Sequence, residues 1–380
     1  MNPMRVALVY NQKKEDATQQ SLPEDTADPP STQRGAASSL AIRSHTSPST
    51  QPLNDLYAEW DTAETIEAVA SALSQIHHVT LIEADGEAYE KLSLNRPEFV
   101  FNIAEGLHGV SREAHIPSVL EMLRIPYTGS DPLTLAVCLD KSRAKEILSY
   151  YKIPTPRFCV ISDLSGIGES AIRFPAIVKP LHEGSSKGIF DASLVRDRSE
   201  LTRQVTMLLE SYKEAVIVEE YLPGREFTVA MLGNGARLNV LPIVEIKFDS
   251  LPAGVNRIYS YEAKWIWDTA EHPIEIFRCP ARIEPSLGRL IEQTALDAYH
   301  AIGCRDWCRV DVRLDRFGVP NIVELNPLPG IIPDPRMNSC FPKAARVAGF
   351  GYDELIQEVV RLAWRRLTGR ALDLELEATG

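Results

Sequence analysis

The chain has 380 residues, 44% of them hydrophobic and 24% charged, with a net charge of -12 and a pI near 5.3. That length supports two or three domains around a large buried core. The acidic balance argues against a nucleic-acid partner, which needs a basic stripe, and against binding to an anionic membrane surface.

No apolar run approaches the length of a membrane-spanning helix, and the N-terminus leads into a strand and not a secretory segment, so a cytoplasmic protein is expected. The first strand is Arg5 to Tyr10, apolar enough for the centre of a parallel sheet. Residues 11–54 are rich in Ser, Thr, Pro, Gln and Asp and cannot bury enough to offset ordering, so they read as a disordered insertion. A helix fits Asp61 to Ile76, and strands fit His78 to Ala84 and Phe99 to Ile103. This alternation predicts an open α/β domain over residues 1–138, with ligands at the carboxyl ends of its strands. Asn102, Glu105, Arg112 and Glu113 lie just past such an end, ahead of a helix at Pro117 to Leu123.

A turn at 125–130 leads to a helix carrying Asp140-Lys141, and the connector Ile153-Pro154-Thr155-Pro156 marks a boundary. Strands at 158–161, 176–179, 215–220 and 226–232 surround a helix at 198–212, giving a central unit over 139–232. Lys179 ends an apolar strand and therefore needs an anionic partner. The loop Glu183-Gly184-Ser185-Ser186-Lys187-Gly188 offers backbone amides that can fold over phosphates. No Gly-x-x-x-x-Gly-Lys-Ser/Thr motif is present. Gly166-Ile167-Gly168-Glu169-Ser170-Ala171 matches the dinucleotide fingerprint only loosely, without a βαβ opening and with an acid where pyrophosphate would lie.

A last unit covers 233–370, with 371–380 as a tail. It contains a β stretch at 237–248, a long aromatic loop around Tyr261 to Trp267, a core helix from Ser286 to Ile302 with Ser286 as its N-cap, and a final helix at Asp353 to Leu367. Cys304 and Cys308 have no second Cys/His pair at zinc spacing, and six cysteines do not make a disulfide scaffold in a chain this long.

Between those helices, Cys308 to Leu314 and Asn321 to Asn326 flank a Gly318 turn and read as a hairpin. Period two puts Arg309 with Asp311, and Glu324 with Asn326, on one face of each arm. A solvated surface hairpin does not explain acids set among Val310, Val312, Val323 and Leu325. Two acids, an amide and a guanidinium together suit a magnesium–nucleotide site, because Mg²⁺ takes hard oxygen ligands and an arginine can carry phosphoryl charge.

Taken in order, Asp140-Lys141, Val178-Lys179-Pro180, Glu183 to Ser186, Val218 to Leu222, Arg225 to Val229, Tyr261 to Lys264, Arg309 to Val312 and Glu324-Leu325-Asn326 make the chain resemble the D-alanine–D-alanine ligases of the ATP-grasp superfamily, over about Phe99 to Leu367. The resemblance implies an α/β protein whose ATP-binding part is α+β, an ATP-grasp fold with an N-terminal open parallel domain, and ATP held between two antiparallel sheets. It implies Lys141, Lys179 and Lys264 on phosphates, with Ser186 in the same loop, Glu219 and Leu222 beside adenine, and Glu226 on ribose. Asp311, Glu324 and Asn326 would hold two Mg²⁺, or Mn²⁺ in their place. Arg309 and Ser185 would be catalytic, and the Gly330 amide would face an oxyanion. It further implies acyl-phosphate ligase chemistry on small amino acid or amine substrates, in a homodimer.

The departures cluster where the amino acids would bind. The acidic motif usual after the first strand is missing, which leaves Glu59 as its substitute, and Glu105 to Glu113 replace the usual His-Gly segment. Trp265 stands where a tyrosine is usual, and extra residues precede Ser339, the carboxylate-binding serine on this reading. Glu105, Arg112, Trp265 and Ser339 are thus the expected substrate residues, and the substrate need not be D-alanine. The competing expectation is a nucleotide-binding regulator without ligase turnover, which would have no need to keep Arg309, Asp311, Glu324 and Asn326 together.

Overall fold

The computed structural model describes residues 3–14, 55, 57–168, 172–267 and 274–369, apart from the Trp265 side chain. Residues 15–54 of the insertion predicted over 11–54, and the tail, therefore lie outside the described residues. The start of that insertion does not behave as expected: Asn11 is buried, with its amide donating to the Ala84 carbonyl and its Oδ1 accepting from the Gly106 amide.

Strands β1 (Arg5–Tyr10), β2 (His78–Glu83) and β3 (Phe99–Asn102) form a parallel sheet in the order β2-β1-β3, so the most apolar strand is central. Helices α1 (Ala63–Ser74), α2 (Ala88–Asn95) and α3 (His115–Leu123) accompany it. Thr62 caps α1, which buries Ile66, Val69 and Leu73 at helical spacing. Next come α4 (Pro132–Leu139) and α5 (Lys141–Tyr150), the second capped by the Asp140 carboxylate on the amides of Ser142 and Arg143.

The smaller antiparallel sheet has the order β4-β7-β5-β6, built from β4 (Phe158–Ile161), β5 (Ala176–Pro180), β6 (Leu194–Val195) and β7 (Val216–Glu220). Helix α6 (Arg198–Tyr212) covers one face and leaves the other to the cleft. The larger sheet comprises β8 (Glu226–Leu232), β9 (Asn239–Val240), β10 (Val244–Ile246), β11 (Phe277–Arg278), β12 (Trp307–Leu314) and β13 (Pro320–Asn326), with β8 pairing β12 at its middle. Helix α7 (Pro285–Ile302) backs this sheet, and α8 (Cys340–Val347) and α9 (Tyr352–Thr368) close the chain.

Four local expectations need correction. Strand β8, assigned by sequence to the central unit, belongs to the larger sheet, and α5 packs on that sheet as well through Ala144 and Leu148. The α7 N-cap is Glu284, because Pro285 occupies the first helical position and its fixed φ suits that place better than Ser286. Leu290 of α7 and Leu367 of α9, which helical spacing sets on the same stripes as Ile291 and Ala363 and so predicts as core, are exposed. The β stretch at 237–248 is two short strands separated by Pro242, which has no amide to give a ladder.

One core cluster crosses from the parallel sheet to the larger one. Trp307 packs edge-on against Phe101 at 5.7 Å and Phe341 at 5.8 Å. Beside it, Asp306 is fully buried and accepts from the Gly129 amide at 2.8 Å, Asn234 Nδ2 at 2.8 Å, and Arg366 Nε and Nη2 at 2.9 and 2.8 Å. These bonds tie the start of β12 to α9 and to both sheets. Asp306→Ala should lower stability by about 3 kcal/mol, since it strands a partly buried guanidinium and two donors; the urea denaturation midpoint checks this.

Candidate active site

In β12 the odd residues Trp307, Arg309, Asp311 and Arg313 face the cleft side, and Cys308, Val310, Val312 and Leu314 face α7. Arg309 pairs in register with Asn326, and Asp311 with Glu324. After Asp311 the register shifts, so that Val323 is an extra residue and Ile322 and Leu325 both enter the α7 core. Without that bulge one of the two would turn into the cleft. Arg309 donates to Asp311 through Nε at 3.1 Å and Nη2 at 2.9 Å, a two-pronged pair that fixes the guanidinium. Glu324 makes no hydrogen bond or ion pair with any described residue.

Two strands away the cleft face of β8 presents Glu226, whose Oε2 lies 2.6 Å from Arg313 Nη1. The same guanidinium donates to Tyr221 Oη at 2.9 Å and the Arg257 carbonyl at 2.7 Å, and lies over the Tyr221 ring at 4.7 Å.

The smaller sheet supplies the opposite wall. Glu219 is buried between Lys179 Nζ at 3.0 Å and Lys145 Nζ at 3.1 Å. Burial would push its carboxyl up, yet the two ammonium groups hold it below the usual range. Burial also pulls Lys145 down to about 8, against the pull of Glu219. Lys145 further donates to Thr155 Oγ1 at 3.0 Å and to the Val323 carbonyl at 3.1 Å, at the bulge. It therefore joins α5, the smaller sheet and the hairpin, and it is absent from the sequence-derived set. Its signal was weak: a helix lysine one turn past Lys141 usually points to solvent.

Lys141 donates to the Glu183 carbonyl at 2.5 Å. In the loop that follows, Ser185 and Ser186 both hold positive φ, at 49° and 62°, and Ser186 Oγ donates to the Tyr259 carbonyl at 3.0 Å. Gly184 is needed for close approach, since a Cβ there would stand 2.6 Å from Glu59 Oε1. Lys264 sits on a π-helical turn, Glu262–Trp267, where desolvation and then Arg309 pull its ammonium down to about 8.

These groups enclose a cavity of about 530 Å³ whose walls include Lys179, Glu219, Leu222, Glu226 and Asp311. A smaller cavity of about 90 Å³ adjoins it, reaching Lys141, Asn326, Glu105 and Glu113. Ser185, Lys264, Arg309, Glu324 and Gly330 line both. Ser339 lines the larger one and donates through Oγ to the Gly330 carbonyl at 3.1 Å. The side chain of Trp265 lies outside the described residues.

Among the expected substrate residues whose side chains are described, Arg112 is the one that reaches neither cavity. It lies behind the wall, with Nη2 at 2.7 Å from Glu59 Oε2 and 3.2 Å from Glu183 Oε2, and Nη1 donating to the His182 carbonyl at 2.9 Å. Lys187 completes the network at 2.6 Å from Glu183 and 3.6 Å from Glu59. Glu59 is thus a structural anchor for the loop as well as a cavity residue. Two residues on, Asp61 lines both cavities with no side-chain partner among the described residues, and burial raises it to about 7.

Two antiparallel sheets that face each other across a cation-lined cleft, beside a parallel α/β unit, define an ATP-grasp enzyme. The family described as "D-ala D-ala ligase C-terminus" matches residues 161–361. The D-alanine–D-alanine ligase of Pelotomaculum thermopropionicum is 30% identical over 311 residues, covering 79% of this chain and 91% of that protein. The uncharacterized protein y4sG of Sinorhizobium fredii is 35% identical over 331 residues, covering 85% and 94%. The crystal structure of the Bacillus anthracis D-alanine–D-alanine ligase complexed with ATP superposes with a TM-score of 0.64 at 20% identity over 96% of this chain and 98% of that one, a likeness of fold. The chain belongs to the D-alanine–D-alanine ligase family and is an ATP-dependent ligase. No helix among the described residues is long and apolar enough to cross a membrane.

Asp61 offers a test of the site's electrostatics. Its folded-state value lies above the unfolded one, so its contribution to stability is intact below about pH 4 and is lost as pH rises through about 7. Asp61→Asn should therefore be more stable than the parent at pH 8 by about 1 kcal/mol or more, with the gap closing towards pH 4. Urea denaturation across that range measures it.

Proposed function

We propose that the chain is a Mg²⁺-dependent carboxylate–amine ligase that joins two small amino acid substrates through an acyl phosphate, and that these need not include D-alanine. The observation that carries this reading is the placement of Arg309, Asp311, Glu324 and Asn326 on one cleft face opposite the Lys145, Lys179 and Glu219 cluster.

The donor set fits magnesium. Among the described residues no group of three or more His, Cys, Asp or Glu side chains is arranged to hold a metal. The hairpin instead offers two carboxylates and an amide oxygen, one carboxylate without a partner, which suits an ion that takes its remaining ligands from phosphate and water. Asp311, Glu324 and Asn326 would hold it, and when bound it would neutralise phosphate charge.

On this reading Lys141 and Lys179 hold the phosphates of ATP, with Ser186 in the loop above. Glu219 and Leu222 lie along adenine and Glu226 takes the ribose, oriented by Arg313. Lys264 closes over the γ-phosphate, and the aromatic turn that carries it excludes water from the acyl phosphate. A substrate carboxylate oxygen attacks the γ-phosphorus and ADP leaves. The amine of the second substrate then attacks the acyl carbon, the tetrahedral intermediate collapses, and phosphate departs. Arg309 stabilises charge on the transferring phosphoryl group, the Gly330 amide faces the oxyanion, and Ser185 and Ser339 position the substrates. No covalent enzyme nucleophile is needed.

Glu324→Gln should cut ATP-dependent phosphate release roughly 100-fold or more while the circular dichroism spectrum and denaturation midpoint hold, because the change removes a charge at nearly constant volume. Chelation with EDTA should abolish release by the parent, and excess Mg²⁺ should restore it. Undiminished turnover in the variant would remove Glu324 from the metal site.

A further inference from the structure

We propose that the smaller cavity takes an amino acid bearing a second amino group, and that Asp61, Glu105 and Glu113 receive its ammonium groups. The inference rests on the ligase reading and names its substrate class.

Asp61 precedes α1, Glu105 and Glu113 both belong to the connection from β3 to α3, and all three line the cavity of about 90 Å³. Glu113 is only 7% exposed. None of the three side chains makes a hydrogen bond or ion pair with a described residue. The nearby cations are committed elsewhere, Arg112 and Lys187 to Glu59 and Glu183. That quartet is neutral as a unit, which leaves Lys141 as the remaining cation at this end, already donating to the Glu183 carbonyl.

Glu113 is buried, with the half-buried Asp61 and Glu105 beside it, and a buried acid without a partner is costly and calls for a ligand that pairs with it. A triphosphate would be repelled. A metal ion is disfavoured, since no described group of three such side chains is arranged to hold one. An amino acid whose carboxylate is drawn to Lys264 and Arg309 on the shared wall would place its ammonium at the acid end. One α-ammonium pairs with one carboxylate and a second ammonium with another, while the third keeps its proton. Burial and then the neighbouring Glu59 push Glu113 up to about 8, and burial and then Glu113 raise Glu105, so each gains from an arriving cation.

The test uses the full chain with Mg²⁺ and ATP, and reads phosphate release with both enantiomers of 2,4-diaminobutyrate, ornithine and lysine against the length-matched 2-aminobutyrate, norvaline and norleucine. At least one diamino acid should exceed its neutral match about tenfold in kcat/KM, and Asp61→Asn or Glu105→Gln should bring that ratio towards unity without changing KM for ATP. Calorimetric titration of the same amino acids into the chain loaded with a non-hydrolysable ATP analogue supplies a readout without turnover. Neutral amino acids turning over as well as the diamino ones, or a ratio that survives both variants, would overturn the inference and leave the ligase reading standing. Diamino acids that bind but give no phosphate release would support the pocket and sink the ligase reading. Neither binding nor release with any diamino acid would overturn the pocket assignment.

Discussion

A charge taken out of water must find an opposite charge or a set of donors, and the cleft is built around that requirement. Arg309 with Asp311, Arg313 with Glu226, Lys145 and Lys179 with Glu219, and Arg112 with Glu59 and Glu183 are each closed internally. The pairs do more than satisfy one another. Each fixes a long side chain in one orientation, so the walls reach the shape that a nucleotide needs before it arrives. Groups left over in such an arrangement mark where ligands belong. Glu324 is left over on the nucleotide side, and Asp61, Glu105 and Glu113 are left over at the other end.

The hairpin sets this pattern because a pleated strand sorts its residues by parity. Charged residues of β12 reach the cleft only because Val310 and Val312 bury themselves against α7, and the bulge at Val323 keeps β13 in step while freeing a carbonyl for Lys145. Packing behind the sheet and chemistry in front of it are therefore a single constraint. Asp306 and Trp307, at the root of β12, extend it to the parallel sheet.

Much of this could be read locally. The hairpin has period two and a glycine turn, and its four functional residues lie within one continuous stretch, so alternation alone put them on a common face. Helix α6 was expected over 198–212, and its ends coincide with those bounds. What local pattern could not supply was partnership over distance. Arg112 looks like a ligand-binding residue beside a strand end, but its carboxylate partner lies 53 residues upstream. Lys145 reaches a carbonyl 178 residues away, and nothing in its helical neighbourhood announces that. The placement of β8 in the larger sheet likewise depends on pairing with β12, about which the β8 sequence itself is silent.

The two ends of the cleft also differ in where they come from. The family match spans residues 161–361 and contains Lys179, Glu219, Glu226, Lys264, Arg309, Asp311, Glu324 and Asn326, the groups proposed to handle nucleotide and phosphoryl charge. Asp61, Glu105 and Glu113 lie outside it, in the parallel α/β unit and the segments that follow its strands. Activation of a carboxylate demands the same electrostatics whatever side chain the substrate carries, so that half of the cleft has little freedom. On the proposed reading, substrate choice falls to a few groups at the far wall, held on loops that can change without disturbing either antiparallel sheet. The proposed phosphate and metal groups of both antiparallel sheets thus fall inside the family match, and the acids of the far wall fall outside it.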